Sequence, residues 1–266
     1  MSRKILAKLA RSIYTGPIKE TASRLGTEDH LISLYSKYLI DETSVSAGNR
    51  SAVFMVSGRP EFIRFQNLMG EREIANHILD NLEEDDVFYD IGANVGLYTC
   101  LVANILSEGQ ILAVKPHPKN VRRLRENLER NGISATVCEA AVGDEKGTAE
   151  LEVHGSEAGE GKHSLAKSGE RESISVDVVT ADDLISQISP PSVIKIDIEG
   201  AELIALKGLE AVLDGCRLVY CEVHPEEIKS FGSTSEDVYE FMESRGFKTK
   251  EIMHRGNQPF VLFKSE

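Results

Sequence analysis

Val87-Phe88-Tyr89-Asp90-Ile91-Gly92-Ala93-Asn94-Val95-Gly96 decides the fold. A short apolar and aromatic run stops at a glycine turn. Beyond the turn Leu97, Leu101 and Ile105 recur every four residues, which predicts a strand, a tight turn and a helix from about Asn94 to Leu106. The pattern then repeats. Residues 110–115 read as a second strand, and His117 to about Arg130 as a helix stopped by Asn131-Gly132. Ala135–Ala141 reads as a third strand, Val193–Ile198 as a fourth and Leu218–Val223 as a fifth, with a helix over Ala201–Leu213 between the last two. Strands alternating with helices predict βαβ units and a mostly parallel sheet.

The ends differ in character. Phe247–Met253 and Pro259–Lys264, joined by His254-Arg255-Gly256-Asn257-Gln258, predict a hairpin that closes the sheet with an antiparallel strand, after a helix near 235–245. Residues 47–67 alternate like a β-hairpin and precede a helix near 71–82, so residues 1–69 are expected to form an extension on a domain spanning 70–266. Ala149–Val153 and Ile174–Val179 flank a Gly-, Ser- and charge-rich tract at about 154–173, too long for an ordinary turn. Two readings stand for it: a mobile surface loop, or a substrate lid with His154, His163 and Ser164 as contacts.

Composition narrows the partners. With 30 Lys+Arg against 43 Asp+Glu the net charge is −13, which argues against nucleic acid as a partner. Residues 1–26 run the other way, with six basic side chains and one acid, a local +5 that leaves −18 for the rest. An acidic body of this kind suits either a high-salt cytoplasm or an ordinary solvated surface. Ile5, Leu9 and Ile13 among the basic residues fit a helix at a membrane surface or one packed on the domain. No apolar run approaches the roughly 18 residues of a membrane span and the start lacks a secretory pattern, so a cytoplasmic location is expected, with residues 1–26 as the one candidate contact with the inner membrane face. Cys100, Cys138, Cys216 and Cys221 lack C-x-x-C spacing and read as reduced thiols.

Three constellations carry chemistry. At Asp90–Gly96, glycines permit close backbone approach and a helix N-terminus favours an anion, while Asp90 would repel a pyrophosphate. A ligand with both ammonium and carboxylate, such as the methionine part of S-adenosylmethionine, fits this turn. At Lys195-Ile196-Asp197-Ile198-Glu199-Gly200-Ala201-Glu202, strand alternation puts Lys195, Asp197 and Glu199 on one side, at the strand end where open α/β sheets bind ligands. Capping of the next helix is the competing role for Glu199 or Glu202. At Cys221-Glu222-Val223-His224-Pro225, Glu222 and His224 face the same crevice, and His224 is either structural or a proton acceptor. Asp197, Glu199 and His224 are also candidate ligands for a divalent metal, but their spacing fixes no coordination set and no metal is assigned.

These motifs, with Pro116-His117-Pro118 and Leu206-Lys207-Gly208, resemble the FkbM family of S-adenosylmethionine-dependent methyltransferases over roughly residues 70–263. The resemblance implies a Rossmann-like class I methyltransferase fold with a seven-stranded, mostly parallel sheet. It also implies methyl transfer from S-adenosylmethionine, commonly to an oxygen of a sugar, glycolipid or other small-molecule acceptor. Asp90, Gly92, Asn94 and Gly96 would hold the methionine end, with Thr99 in the following helix. Glu139 and Ala140 would lie near the adenine. Asp197, Glu199 and His224 would face the acceptor, with Asp197 or His224 as the base.

One position departs. The family's run ends in Phe-Glu-Pro, whose glutamate accepts hydrogen bonds from both ribose hydroxyls, whereas this chain has Val114-Lys115-Pro116, and lysine cannot accept. Two rivals follow: a methyltransferase-like binding or scaffold module with weakened cofactor affinity, and a Rossmann protein whose Lys115 meets the 2′-phosphate of NADP.

Overall fold

The structure is a computed structural model that describes residue 36 and residues 40–66, 68–153 and 172–266. The readings placed on residues 1–26 and on His154, His163 and Ser164 lie outside the described residues.

Apolar runs buried on both faces become the central strands, as parallel sheets require. β3 (Val87–Ile91), β4 (Gln110–Val114), β5 (Thr136–Cys138), β9 (Val193–Ile196) and β10 (Leu218–Glu222) run parallel; β12 (Gln258–Ser265) is antiparallel to β10, and β11 (Phe247–Arg255) pairs with β12. The order β11-β12-β10-β9-β3-β4-β5 is the expected seven-stranded sheet with its antiparallel C-terminal strand. Alternate residues of β3 point to opposite faces: Phe88 joins one core and Tyr89 and Ile91 the other.

The first core is shared with the N-terminal segment. β1 (Glu42–Ala47) and β2 (Arg50–Met55) form an antiparallel hairpin, followed by α1 (Arg59–Gln66) and α2 (Leu68–Asp80). Phe54, Phe62, Phe65, Ile74 and Ile78 pack in the same cluster as Leu101 of α3 (Leu97–Val102) and Leu124 of α4 (Pro118–Asn131). Asparagines of α4 complete the edge of the hairpin: Asn127 Oδ1 accepts from Met55 N at 2.9 Å, Asn131 Oδ1 from Val53 N at 2.8 Å, and Asn131 Nδ2 donates to Val53 O at 2.7 Å. The second core packs α5 (Ala181–Ile185), α6 (Glu202–Gly208), α7 (Glu210–Leu213) and α8 (Ser235–Ser244) on the other face through Leu184, Leu206, Leu213 and Met242.

Four local expectations are corrected. The hairpin occupies residues 42–55, and residues 59–66 are helical, because Pro60 suits a first turn and Glu61 Oε2 accepts from Ser57 N at 2.7 Å. The helix after β3 is confined to Leu97–Val102, since Asn94 and Gly96 both take left-handed φ, 52° and 89°. The expected third strand splits into β5 and a separate β6 (Ala141–Val142), which joins β7 (Gly147–Glu152) and β8 (Ser173–Val179) in a small second sheet. The helix expected over 201–213 breaks at Leu209 into α6 and α7. All four cysteines are free and buried. Among the described residues no helix is long and apolar enough to cross a membrane.

One buried carboxylate ties together the amino ends of the strands whose carboxyl ends build the site. Asp86, before β3, accepts from Ser192 Oγ before β9 at 2.6 Å and from Glu83 N at 2.7 Å, and pairs with Arg217 before β10. Burial opposes its charge, but the Arg217 guanidinium and the two other donors hold its pKa below the ordinary 3.8. A depressed aspartate contributes stability that is complete above its unfolded value and disappears as pH falls through the folded one. Asp86→Asn is therefore expected to lose about 2 kcal/mol at pH 7, or roughly 4–8 °C in Tm. The difference from wild type should shrink below pH 3.8 in denaturation measured against pH.

Candidate active site

The site begins where β3 and β9 end side by side. Asp90 and Lys195 are register partners, and the Asp197 amide donates to Ile91 O at 3.0 Å. This approach is possible only at a glycine. A Cβ on Gly92, whose φ is 85°, would stand 1.9 Å from the Asp197 carbonyl oxygen. Gly96 likewise carries positive φ, with Leu124 Cδ1 2.5 Å from where its Cβ would stand. Gly92 N and Ala93 N both donate to Val114 O at 3.0 Å, which draws β4 against the same turn.

Beneath the turn lies a closed electrostatic frame. Asp90 is fully buried; its Oδ2 accepts from Thr99 Oγ1 at 2.6 Å and Thr99 N at 3.1 Å, and its Oδ1 stands 3.4 Å from Lys195 Nζ. Lys195, 2 % exposed, also reaches Asp197 Oδ2 at 3.5 Å and sits 5.1 Å from the centre of the Tyr98 ring. Burial opposes its charge, but Asp90 and Asp197 raise its pKa, so the ammonium persists. Asp90 and Thr99 thus hold the turn from below. Asn94, with its Oδ1 accepting from Asn120 Nδ2 at 3.1 Å, fixes the loop to α4.

Asp197, Glu199 and His224 converge as expected, although Asp197 and Glu199 lie just past the last residue of β9 and Glu199 takes a left-handed φ of 55°. His224 Nε2 is 3.6 Å from Glu199 Oε2 and 3.9 Å from Asp197 Oδ1. Burial works against charge on all three. Lys195 and His224 nevertheless hold the Asp197 carboxyl below the usual range, whereas burial and the neighbouring Asp197 raise that of Glu199. The imidazole of His224 is pushed up to about 10 by its hydrogen bond to Glu202 and the surrounding carboxylates. At neutral pH the group therefore holds an ionised Asp197 facing an imidazolium.

Sequence reasoning undervalued two neighbours. Glu202 is fully buried, and its Oε1 accepts from Gly200 N at 2.8 Å and lies 2.8 Å from His224 Nδ1, so it both caps the chain and orients the ring. The strand-to-helix position of Glu202 had suggested only the first role. Glu222, whose alternation with His224 did point to the crevice, is paired with Arg255 at 2.5 Å, and Arg255 reaches on to Glu71 at 2.5 Å. Burial and the charge of Asp197 push the Glu222 carboxyl up to about 8. Arg255 had no sequence signal beyond its place beside the hairpin turn.

Beside this group lies an open cleft bounded by Gly92, Val114, Lys115, Ala140, Ile198 and Ala201 among others. Its walls are mostly apolar and Ala140 lines it, while Glu139 is exposed and pairs with Arg125 of α4 at 3.4 Å. Lys115 is 5 % exposed, and among the described residues no carboxylate lies within ion-pair distance of its Nζ. Burial brings its pKa down to about 8, opposed by the charges of Asp197 and Glu199.

The chain is 27% identical over 215 residues to the hexuronic acid methyltransferase AglP of Haloferax volcanii, covering 80% of this chain and 84% of that protein. It is 24% identical over 148 residues to methyltransferase 1 of Beauveria bassiana, covering 48% of this chain and 59% of that protein. Among solved structures, precorrin-6y C5,15-methyltransferase from Geobacter metallireducens superposes with a TM-score of 0.47 at 15% identity, over 73% of this chain and 87% of that one. The profile of the methyltransferase FkbM domain matches residues 90–249, more than half of the chain and the whole of the site from Asp90 to His224. The protein is a methyltransferase of the FkbM family.

Proposed function

We propose that this methyltransferase transfers a methyl group from S-adenosylmethionine to an oxygen of a hexuronic acid in a sugar or glycan acceptor. The observation that carries this reading is the convergence of Asp197, Glu199 and His224 at the strand ends, beside a turn that only glycine can make and next to an apolar cleft. The acceptor class is drawn from the likeness to the hexuronic acid methyltransferase of Haloferax volcanii. Apart from Lys115, the residues present fit the cofactor. The backbone of Gly92–Gly96 would hold its methionine end over the Asp90–Thr99 frame, and Val114, Ala140 and Ile198 would cover the adenosine. S-adenosylmethionine supplies an electrophilic methyl on a sulfonium centre.

The chain's own residues orient the acceptor and manage its proton. Asp197, held ionised by Lys195, can accept a hydrogen bond from an acceptor hydroxyl and orient its lone pair toward the cleft. A uronate carboxylate is already an anion and needs no base. Incubation with labelled S-adenosylmethionine and glucuronate- or galacturonate-terminated oligosaccharides should yield labelled acceptor. Label removed by mild alkali marks an ester and label that resists it marks an ether. Neutral sugars methylated in preference to every uronate would refute the acceptor class.

Two substitutions test the residues. Asp197→Asn is expected to abolish turnover while leaving S-adenosylmethionine affinity within a few-fold in calorimetry; wild-type turnover would remove Asp197 from the mechanism. Lys115→Glu should raise cofactor affinity by about tenfold or more, because hydrogen bonds to a charged acceptor are each worth roughly 1.5–3 kcal/mol. Unchanged affinity would place the ribose away from residue 115. A wild-type protein that binds no S-adenosylmethionine would instead favour the binding-module reading.

A further inference from the structure

The geometry points to a divalent-cation site formed by Asp197, Glu199 and His224, with Glu202 as the group that orients the histidine. Each of the three offers one donor atom, and all lie within 4.8 Å of one another. An acidic cluster alone would not suffice. The independent observation is His224 itself: the ring is fully buried, yet its Nε2 has no hydrogen-bond partner and is aimed into the cluster. Its nearest oxygens, at 3.6 Å on Glu199 and 3.9 Å on Asp197, are too distant to be hydrogen-bonded. Two ligands about 2.1 Å from one ion stand roughly 3.0 Å apart at an octahedral right angle and roughly 4.2 Å apart when opposed. Both separations from Nε2 fall inside that span, so an ion placed between the ring and the two carboxylates would satisfy Nε2.

The surroundings support the same occupant. Glu202 Oε1 stands 2.8 Å from Nδ1, the carboxylate–histidine arrangement that fixes the ring of a ligating histidine; an entering cation would displace the Nε2 proton to solvent and take the lone pair it frees. Lys195 contacts Oδ2 of Asp197, leaving Oδ1 for the cluster. In the wider network Glu71, Asp90, Asp197, Glu199, Glu202 and Glu222 are met at ion-pair distance by Lys195, Arg255 and His224, with Lys115 and Arg64 farther off. Carboxyl groups therefore outnumber the cations that contact them, five to three even with Glu222 protonated. Asp197 and Glu199 are about one-fifth exposed, so the cluster opens to water and to an incoming ligand. Two carboxylate oxygens and one imidazole nitrogen suit a first-row divalent ion such as Mn²⁺ or Zn²⁺ and leave coordination positions for acceptor oxygens. Only that last point rests on the uronate reading: a bound cation would hold an anionic acceptor that the carboxylates alone would repel.

The test is made without acceptor, so that the two readings fail separately. Chelator-treated full-length protein is titrated with MnCl₂ at pH 7, following loss of the free-ion signal by electron paramagnetic resonance, with ZnCl₂ and MgCl₂ as competitors. Saturable binding of one Mn²⁺ per chain is expected. Asp197→Asn and Glu199→Gln should each weaken it tenfold or more, and Glu202→Gln by about 10–100-fold, with circular dichroism showing each variant folded. His224→Asn extends the series, while the partly exposed Glu199 keeps the test decisive if that variant fails to fold. Absence of saturable Mn²⁺, Zn²⁺ or Mg²⁺ binding by folded wild type would overturn the proposal, as would unchanged Mn²⁺ affinity in both Asp197→Asn and Glu199→Gln. Mn²⁺ bound as expected without any methylation of uronates would support the cation site and refute the acceptor class.

Discussion

A lysine with almost no access to water holds the site together. Lys195 lies between Asp90 on β3 and Asp197 past the end of β9. Removing an ammonium from water is expensive unless carboxylates surround it, so the two acids must stay where they are. Asp90 is then bound to Thr99, which fixes the first turn of α3, and Asp197 is held next to Ile198, which lines the cleft. The contact between the two strand ends is so close that residue 92 can carry no side chain. Turn, cleft and carboxylate group are consequences of one buried ion triplet and one missing Cβ.

The electrostatics of the site divide the work among its acids. Asp90 and Glu202 are buried supports: one steadies Lys195, the other orients His224. Asp197 and Glu199 retain partial access to solvent and present oxygen atoms to whatever enters. Arg255 bridges Glu222 and Glu71, linking the C-terminal hairpin to α2 along the rim. The N-terminal hairpin contributes from the other side, since its core residues pack with Leu97, Leu101 and Leu124 behind the glycine turn. The hairpin is thus part of the wall that positions the turn.

Central strands were legible because both faces of a parallel sheet are buried, which leaves apolar runs such as Ile111–Val114 and Leu218–Cys221. Period-two alternation singles out Asp197, Glu199 and His224, but all three lie past the ends of their strands, and Glu199 takes a left-handed φ of 55°, so loop geometry and not alternation brings them together. Other features depended on competing local signals. Phe62-Ile63-Arg64-Phe65 alternates like a strand, but Pro60 and the Ser57–Glu61 hydrogen bonds set a helix there. The helix after β3 was read too long because Ile105 continues an apolar period that the chain abandons after Val102. The partnership of Glu202 with His224 joins residues 22 positions apart, and that of Arg255 with Glu71 residues 184 apart, so neither had a local pattern to reveal it.

The central claim is that the carboxyl ends of β3 and β9 form one site in which methyl donor and acceptor meet. A crystal structure with S-adenosylhomocysteine and a uronic acid tests it most directly. The account predicts the thioether sulfur over the Gly92 turn, the adenosine in the cleft between Lys115 and Ala140, and the acceptor oxygen in line with that sulfur beside Asp197. Either ligand bound elsewhere, with the Asp197–Glu199–His224 group facing only solvent, would contradict it.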